Sequence, residues 1–434
     1  YQPDLDQPFH FELSRSEESM PTLVFPPLDA HSKVEGDNER TALTAIPEAP
    51  SLRPSLLTSS SELPLDKLLK LHCESSHVDS IELYLLRRID IATLSDTQSF
   101  DEVLKPRYGL ADWISRPGNV EIVYNWVKKS FIHQNTSSKN RAQISAVATF
   151  FPGLGSFDRC YKRDSTQHAV SVSALTRDAL VSSMKIADKL WRTHWQSGDE
   201  FTASEFVVRS DERLMTARIV EIVLGSLLDT CSCDECLAEK ESQSMLFFLA
   251  DWNRKVDEIL AQLVIAIRAL YQDPEIAPGC GDPQRGFCFA IEIEPGEHSV
   301  VNSVESLDGF FARVDSHTES DLLKRHVGLN LDIAHCILCG VKPKDLMKHL
   351  HRIVNAHIAD HPGMHTRDHV PGTWRYVEST TSIDRDYINI LASAATAANR
   401  QLPFSFRIGL ELESCSSPSW CDAGISTIRR ILRN

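Results

Sequence analysis

From about residue 76 onward the chain repeats one pattern: a short apolar or β-branched run, then a longer segment in which apolar residues recur every three or four positions. Strands that are apolar along their whole length are buried on both faces, as in a parallel sheet covered by helices. The runs that read as strands are Ser80–Leu85, Val120–Tyr124, Ile144–Phe151, Ile219–Leu224, Phe287–Ile293, Val327–Ile333, Ile353–Ile358 and Ile408–Leu412. Eight parallel strands close a barrel, so the pattern predicts an α/β fold of the (β/α)8 type. The intervening helices follow from spacing. Leu249, Trp252, Val256, Ile259, Leu263, Ile267 and Leu270 form one apolar stripe, which predicts a helix from Met245 to Tyr271. Leu180, Met184, Ala187 and Trp191 do the same after a Thr176 cap, and Leu346, Leu350 and Ile353 mark a shorter helix begun after Pro343.

Residues 1–75 break the pattern. Nine of the 21 prolines fall within the first 64 residues, among hydroxyl-rich and acidic clusters, and this composition predicts an irregular N-terminal extension ahead of a barrel over 76–434. With 60 acidic against 45 basic residues the chain carries a formal charge of −15 and no basic run, which argues against a nucleic-acid partner. No apolar stretch approaches the ~20 residues a membrane helix needs, and the acidic first residues differ from a signal peptide. A cytoplasmic chain with a small-molecule partner, monomeric or homo-oligomeric, is the expectation. Among the 11 cysteines, Cys288, Cys336 and Cys339 stand in apolar runs and read as buried thiols. Cys231, Cys233 and Cys236 cluster in a polar insert near 229–244, where three thiols could hold zinc but no fourth ligand follows at finger spacing.

The chemistry is concentrated in the last third. Glu292 and Glu294 lie at i and i+2 at the end of one strand, so both point to the same side. Asp332 ends the next apolar strand, with His335 three residues on; His357 ends a third, followed by Asp360; Glu411 and Glu413 end a fourth. Carboxylates converging in a low-dielectric mouth repel one another by on the order of several kcal/mol unless a cation or a shared proton lies among them. A divalent ion bound by oxygens and an imidazole removes that conflict.

In order and spacing these motifs resemble the xylose isomerase-like TIM-barrel superfamily, which contains sugar isomerases and epimerases, inosose dehydratase, dehydroshikimate dehydratase and AP-endonuclease family 2. Its members carry a glutamate before Pro-Gly after strand five, Leu-Asp-x-x-His after strand six, His-x-x-Asp after strand seven and Glu-Ser at the end of strand eight. This chain reads Glu292 to Gly296, Leu331-Asp332-Ile-Ala-His335, His357-Ile-Ala-Asp360 and Glu413-Ser414. The resemblance covers residues from about 143 to the end. It implies one divalent ion (Mn, Mg, Co or Zn), or two, held by Glu292, Asp332, His357 and Glu413, with His335 on the substrate or a second ion. Glu294 competes with Glu292, because some relatives place proline directly after the ligand. In the loop His361 to Gly372, His365, Arg367 and Asp368 are placed to grip hydroxyls, a carboxylate or a phosphate of the substrate. Where relatives close that loop with Gly-x-Gly, this chain has Pro371-Gly372-Thr373-Trp374.

The implied reaction is isomerisation or epimerisation of a sugar or related polyhydroxy carbonyl compound. The ion would stabilise an enediolate while one of the catalytic pair Glu292 and Glu413 removes the proton and the other returns it. Loss of a β-hydroxyl after the same opening step would make a dehydratase, and a barrel serving as a binding or accessory protein is the reading from another class. The DNA-repair branch recruits further histidines from strands two to four, and neither Phe150-Phe151-Pro152-Gly153 nor Val223-Leu224-Gly225 supplies one.

Overall fold

The computed structural model describes residues 53–57, 65, 67, 80–85, 94, 108–135, 144–151, 153–156, 160–161, 170–196, 218–225, 227, 245–276, 286–295, 299–358, 386–394 and 407–410. Eight parallel strands close into a barrel in sequential order: β1 (Arg53–Leu57), β2 (Ser80–Tyr84), β3 (Ile144–Ala148), β4 (Arg218–Ile222), β5 (Phe287–Glu292), β6 (Val327–Asp332), β7 (Ile353–Ile358) and β8 (Arg407–Leu410). The last strand pairs with the first, Ile408 opposite Pro54 and Gly409 opposite Ser55. The described helices include α1 (Gly109–Ser115), α2 (Asn119–Asn135), α3 (Val172–Gln196), α4 (Met245–Gln272), α5 (Val304–Ser316), α6 (Ser320–His326), α7 (Ile333–Leu338) and α8 (Pro343–Leu346). Among these residues no helix is long and apolar enough to cross a membrane.

Three expectations are corrected. The barrel begins inside the stretch read as an extension, because Arg53–Leu57 supplies β1; a five-residue strand containing Pro54 gives little alternation to read. Val120–Tyr124 is not a strand but the start of α2, where Val123 and Val127, four apart, are fully buried. A β-branched run on a helix imitates a buried strand. Thr176 also lies within α3, which starts at Val172, instead of capping it. The stripe on α4 packs as its spacing predicts: Val256, Ile259, Leu263, Ile267 and Leu270 are fully buried, each contributing about 1.5–3 kcal/mol relative to exposure. The segment after Pro343 is a short α8 continued by a 3-10 turn, Met347–Arg352.

The strands divide their side chains between two cores. Residues such as Ile81, Val220, Phe289, Ile291, Leu329 and Leu331 join the layer under the helices, while Ala146, Ile219, Cys288, Ala290 and Val354 form a separate cluster in the barrel lumen. Cys288 and Cys336 are buried free thiols and Cys339 is half-buried. In β7 the register shifts: Leu329 pairs with Ile353 but Asn330 with Asn355, so Val354 is a surplus residue and both Val354 and Asn355 face the lumen. Gly328 makes room for it, since a Cβ there would lie 2.7 Å from Val354 Cγ2 and 3.0 Å from the Arg352 carbonyl oxygen.

Candidate metal centre at the barrel mouth

A TIM-barrel interior is ordinarily filled by layers of branched apolar side chains. Here, above the small apolar cluster, the lumen is polar: Glu82, Glu221, Glu292, Asn330, Asp332, Asn355 and His357 are all buried, none more than 5 % exposed. Apart from Asn355, which shares the lumen face with Val354 at the bulge, each sits on the strand face opposite its apolar neighbours, as alternation requires.

At the mouth, Glu292 ends β5 and Asp332 ends β6. Asp332 is also the N-cap of α7, its Oδ1 accepting from the His335 backbone N–H at 2.7 Å. That cap sets the first turn of α7 and brings His335 over the mouth. A Schellman motif closes the other end, with Gly340 N–H donating to Ile337 O and Val341 N–H to Cys336 O, Gly340 having φ of 69°. His335 Nδ1 is 2.9 Å from the Ile293 carbonyl oxygen. A carbonyl only accepts, so Nδ1 carries the proton and Nε2 is the acceptor nitrogen, the arrangement that orients metal-ligating histidines. Glu292, Asp332 and His335 each bring a ligand atom within 4.8 Å of the others.

A second group lies in the lumen. His357 Nε2 is 3.0 Å from Glu82 Oε2 and 3.3 Å from Glu221 Oε2, and these three also meet within 4.8 Å. The two groups touch through Glu292, whose Oε1 lies 3.3 Å from His357 Nδ1 and accepts from Asn330 Nδ2 at 3.0 Å. Asn355 Nδ2 donates to Glu82 Oε1 at 3.0 Å.

The electrostatics follow from burying so much negative charge. Burial, then the Glu292 charge, pushes Glu221 well above the usual carboxylate range. Burial acts to lower His357, but the carboxylates of Glu221 and Glu82 outweigh it and hold the imidazole well above its ordinary value. For Glu292, burial acts upward and is overcome by the hydrogen bond from His357 and the charge of His335, so this carboxyl is lowered. Glu294, half-buried at the rim, is pushed up to about 7 by burial, with Glu292 and Asp332 adding to the rise against His335.

Both groups fit a divalent cation by donor chemistry, two carboxylates and one imidazole each. The fit does not rest on counting acids. Oε2 of Glu82, Oε2 of Glu221 and Oδ1 of Asn330 are buried with no hydrogen-bond partner among the described residues, a cost of about 1–3 kcal/mol apiece unless something else satisfies them.

Of the residues singled out from sequence, Glu292, Asp332 and His335 come together, with Glu294 beside them. His357 borders Glu292 but directs its other nitrogen at Glu82 and Glu221. Glu413, His365, Arg367, Asp368 and the cysteines 231, 233 and 236 lie outside the described residues. Glu82 and Glu221 were not foreseen. Their signal was present: each is a carboxylate inside an apolar run, Ile81-Glu82-Leu83 and Val220-Glu221-Ile222, as Glu292 is.

Solved structures similar to this chain include the IolI protein with a bound zinc atom, at 14 % identity over 88 % of this chain and 96 % of that one, with a TM-score of 0.44. A xylose isomerase-like TIM-barrel protein from Mycobacterium smegmatis in complex with magnesium is 12 % identical over 88 % and 97 %, with a TM-score of 0.40. A xylose isomerase domain-containing protein from Salmonella typhimurium LT2 is 10 % identical over 88 % and 96 %, with a TM-score of 0.38. No family model matches the chain, and no curated protein matches it. The fold and its side chains define a closed (β/α)8 barrel with a carboxylate-rich interior. Two of these neighbours are described as a xylose isomerase-like TIM barrel and a xylose isomerase domain-containing protein, a likeness of fold alone.

Proposed function

We propose that this chain is a divalent-metal-dependent isomerase or epimerase of a sugar or related small polyhydroxylated carbonyl compound. The observation that carries the reading is the buried meeting of Glu292, Asp332 and His335 at the carboxyl ends of β5 and β6, the end at which TIM-barrel enzymes place their chemistry. Glu413, three residues beyond β8 in the sequence, is proposed as a further ligand. Bound there, a divalent ion supplies Lewis acidity to a carbonyl oxygen and the hydroxyl beside it.

The remaining work belongs to the chain's own groups. Asp332 is held by the cap it makes to α7, and His335 by the Ile293 carbonyl, so neither has to reorganise when substrate arrives. Asn330 fixes Glu292 Oε1, which presents the carboxylate in one orientation. Glu292 and Glu413 are assigned the proton: one takes hydrogen from the carbon next to the carbonyl, and the other returns it on the opposite face or at the adjacent carbon. Glu294 lies beside Glu292 and is assigned to a substrate hydroxyl, as are His365, Arg367 and Asp368.

The test is solvent exchange. In heavy water, the Mn²⁺-loaded protein should wash deuterium into a ketose at the carbon next to its carbonyl, and Asp332→Asn should not. Metal-loaded protein that exchanges no ketose or keto-cyclitol would remove the isomerase reading. Protein that takes up no metal would favour an accessory role.

A further inference from the structure

The interior of the barrel holds more donors than the reading above uses. Glu82 from β2, Glu221 from β4 and His357 from β7 come from three separated strands and meet in the lumen, 0 %, 5 % and 1 % exposed. Asn355 occupies Glu82 Oε1, which turns Oε2 toward His357 Nε2. On its other side His357 Nδ1 lies 3.2 Å from Asn330 Nδ2 and 3.3 Å from Glu292 Oε1, which leaves Nε2 turned to the two carboxylates, where it would bind a cation by giving up its proton. Two carboxylate oxygens and that nitrogen therefore converge. Neither Oε2 accepts a hydrogen bond among the described residues, although His357 Nε2 lies 3.0 and 3.3 Å away. Donors about 2.1 Å from a shared ion, at octahedral or tetrahedral angles, stand about 3.0–3.4 Å apart. Clearance is provided by β8: a Cβ on Gly409 would lie 2.8 Å from Glu82 Oε2 and 2.9 Å from His357 Cδ2.

We infer that Glu82, Glu221 and His357 form a second, lumenal site for a transition-type divalent cation such as Zn²⁺ or Mn²⁺, which ties β2, β4 and β7 together across the barrel. Its donors are mixed oxygen and nitrogen, which suits these ions better than Ca²⁺. Its burial makes it a closed, structural site, separate from the mouth. The inference does not rest on the reaction assigned above.

Counting ions tests it. After equilibration with Zn²⁺ and removal of excess, wild-type protein should retain two ions per chain by elemental analysis. The Glu82→Gln/Glu221→Gln double variant should retain one, and so should Asp332→Asn. A single ion in wild type that survives the double variant but is lost in Asp332→Asn would overturn the lumenal site and leave the mouth site standing. A single ion with the reverse pattern would uphold the lumenal site and remove the mouth. Two ions retained by the double variant, or none in wild type, would also overturn it. If the double variant fails to fold by circular dichroism, crystals of wild-type protein soaked in Mn²⁺ decide. Anomalous density among Glu82 Oε2, Glu221 Oε2 and His357 Nε2 supports the site, and its absence there means a buried proton-mediated pair instead.

Discussion

The mouth and the lumen hold nearly the same donors, two carboxylates and an imidazole, and fix them by different means. At the mouth the backbone fixes two of the three donors: the His335 N–H holds Asp332, and the Ile293 carbonyl holds His335. In the lumen a side-chain amide does it, Asn355 on Glu82, and the same device, Asn330 on Glu292, holds the one mouth donor that borders the lumen. Backbone-held donors keep their geometry when a neighbouring side chain changes. Amide-held donors form a network whose members depend on one another. The mouth is thereby suited to chemistry and the lumen to cohesion.

Substitutions should separate the two roles. The largest effect expected is at Asp332→Asn, which keeps a capping side chain but loses a charged ligand: turnover in the exchange assay should fall about a thousandfold or more, the several kcal/mol a Lewis acid contributes, with the melting temperature changed little. Next comes His357→Ala, which strands Glu82, Glu221 and Glu292; in metal-free protein, urea titration should show a loss of about 3–5 kcal/mol. His335→Ala, measured alongside, should cost far less stability, and equal losses would erase the distinction between the regions.

A buried histidine outside the barrel provides a control. Among the described residues His326 meets no carboxylate; its Nδ1 donates to the Phe287 carbonyl oxygen at 2.8 Å and its Nε2 lies 2.8 Å from the Tyr271 hydroxyl. Burial lowers its pKa to about 4, the opposite sense to His357. Because the unfolded chain binds this proton near 6.5, stability should be lost as pH falls from about 6.5 to about 4, by about 3 kcal/mol. In His326→Gln that acid limb should flatten, as read by melts across the range. The smallest effect expected is at Gly409→Ala, where the added methyl meets Glu82 and His357. A cost of about 1–3 kcal/mol is expected from overpacking, with exchange activity at the mouth kept.

How much of this was legible depended on how local each signal is. The strands of the second half could be read because each apolar run carries an acid or an imidazole at or next to its end: Glu292 in Phe287–Glu292, Asp332 in Val327–Asp332 and His357 in Ile353–Ile358. β1 could not, because Pro54 and Ser55 leave too few apolar residues to alternate. Val120–Tyr124 misled because valines at helical spacing also form a β-branched run. The pairing of Asp332 with His335 is written in three consecutive steps of one helix start. That His357 meets Glu82 is not, since strands more than 270 residues apart become neighbours across the lumen only when the cylinder closes.

The bulge at Val354 keeps the polar interior in phase. Because Val354 shares the lumen face with Asn355 instead of taking a turn in the alternation, Ile353 stays under the helices while Asn355 and His357 turn inward. Were Val354 taken into the regular ladder instead of bulging, everything after it would rotate by half a pleat, sending an imidazole into the oily layer and an isoleucine among the acids. The inward set of β7 thus depends on that one bulge, and on Gly328, whose missing side chain leaves room for it.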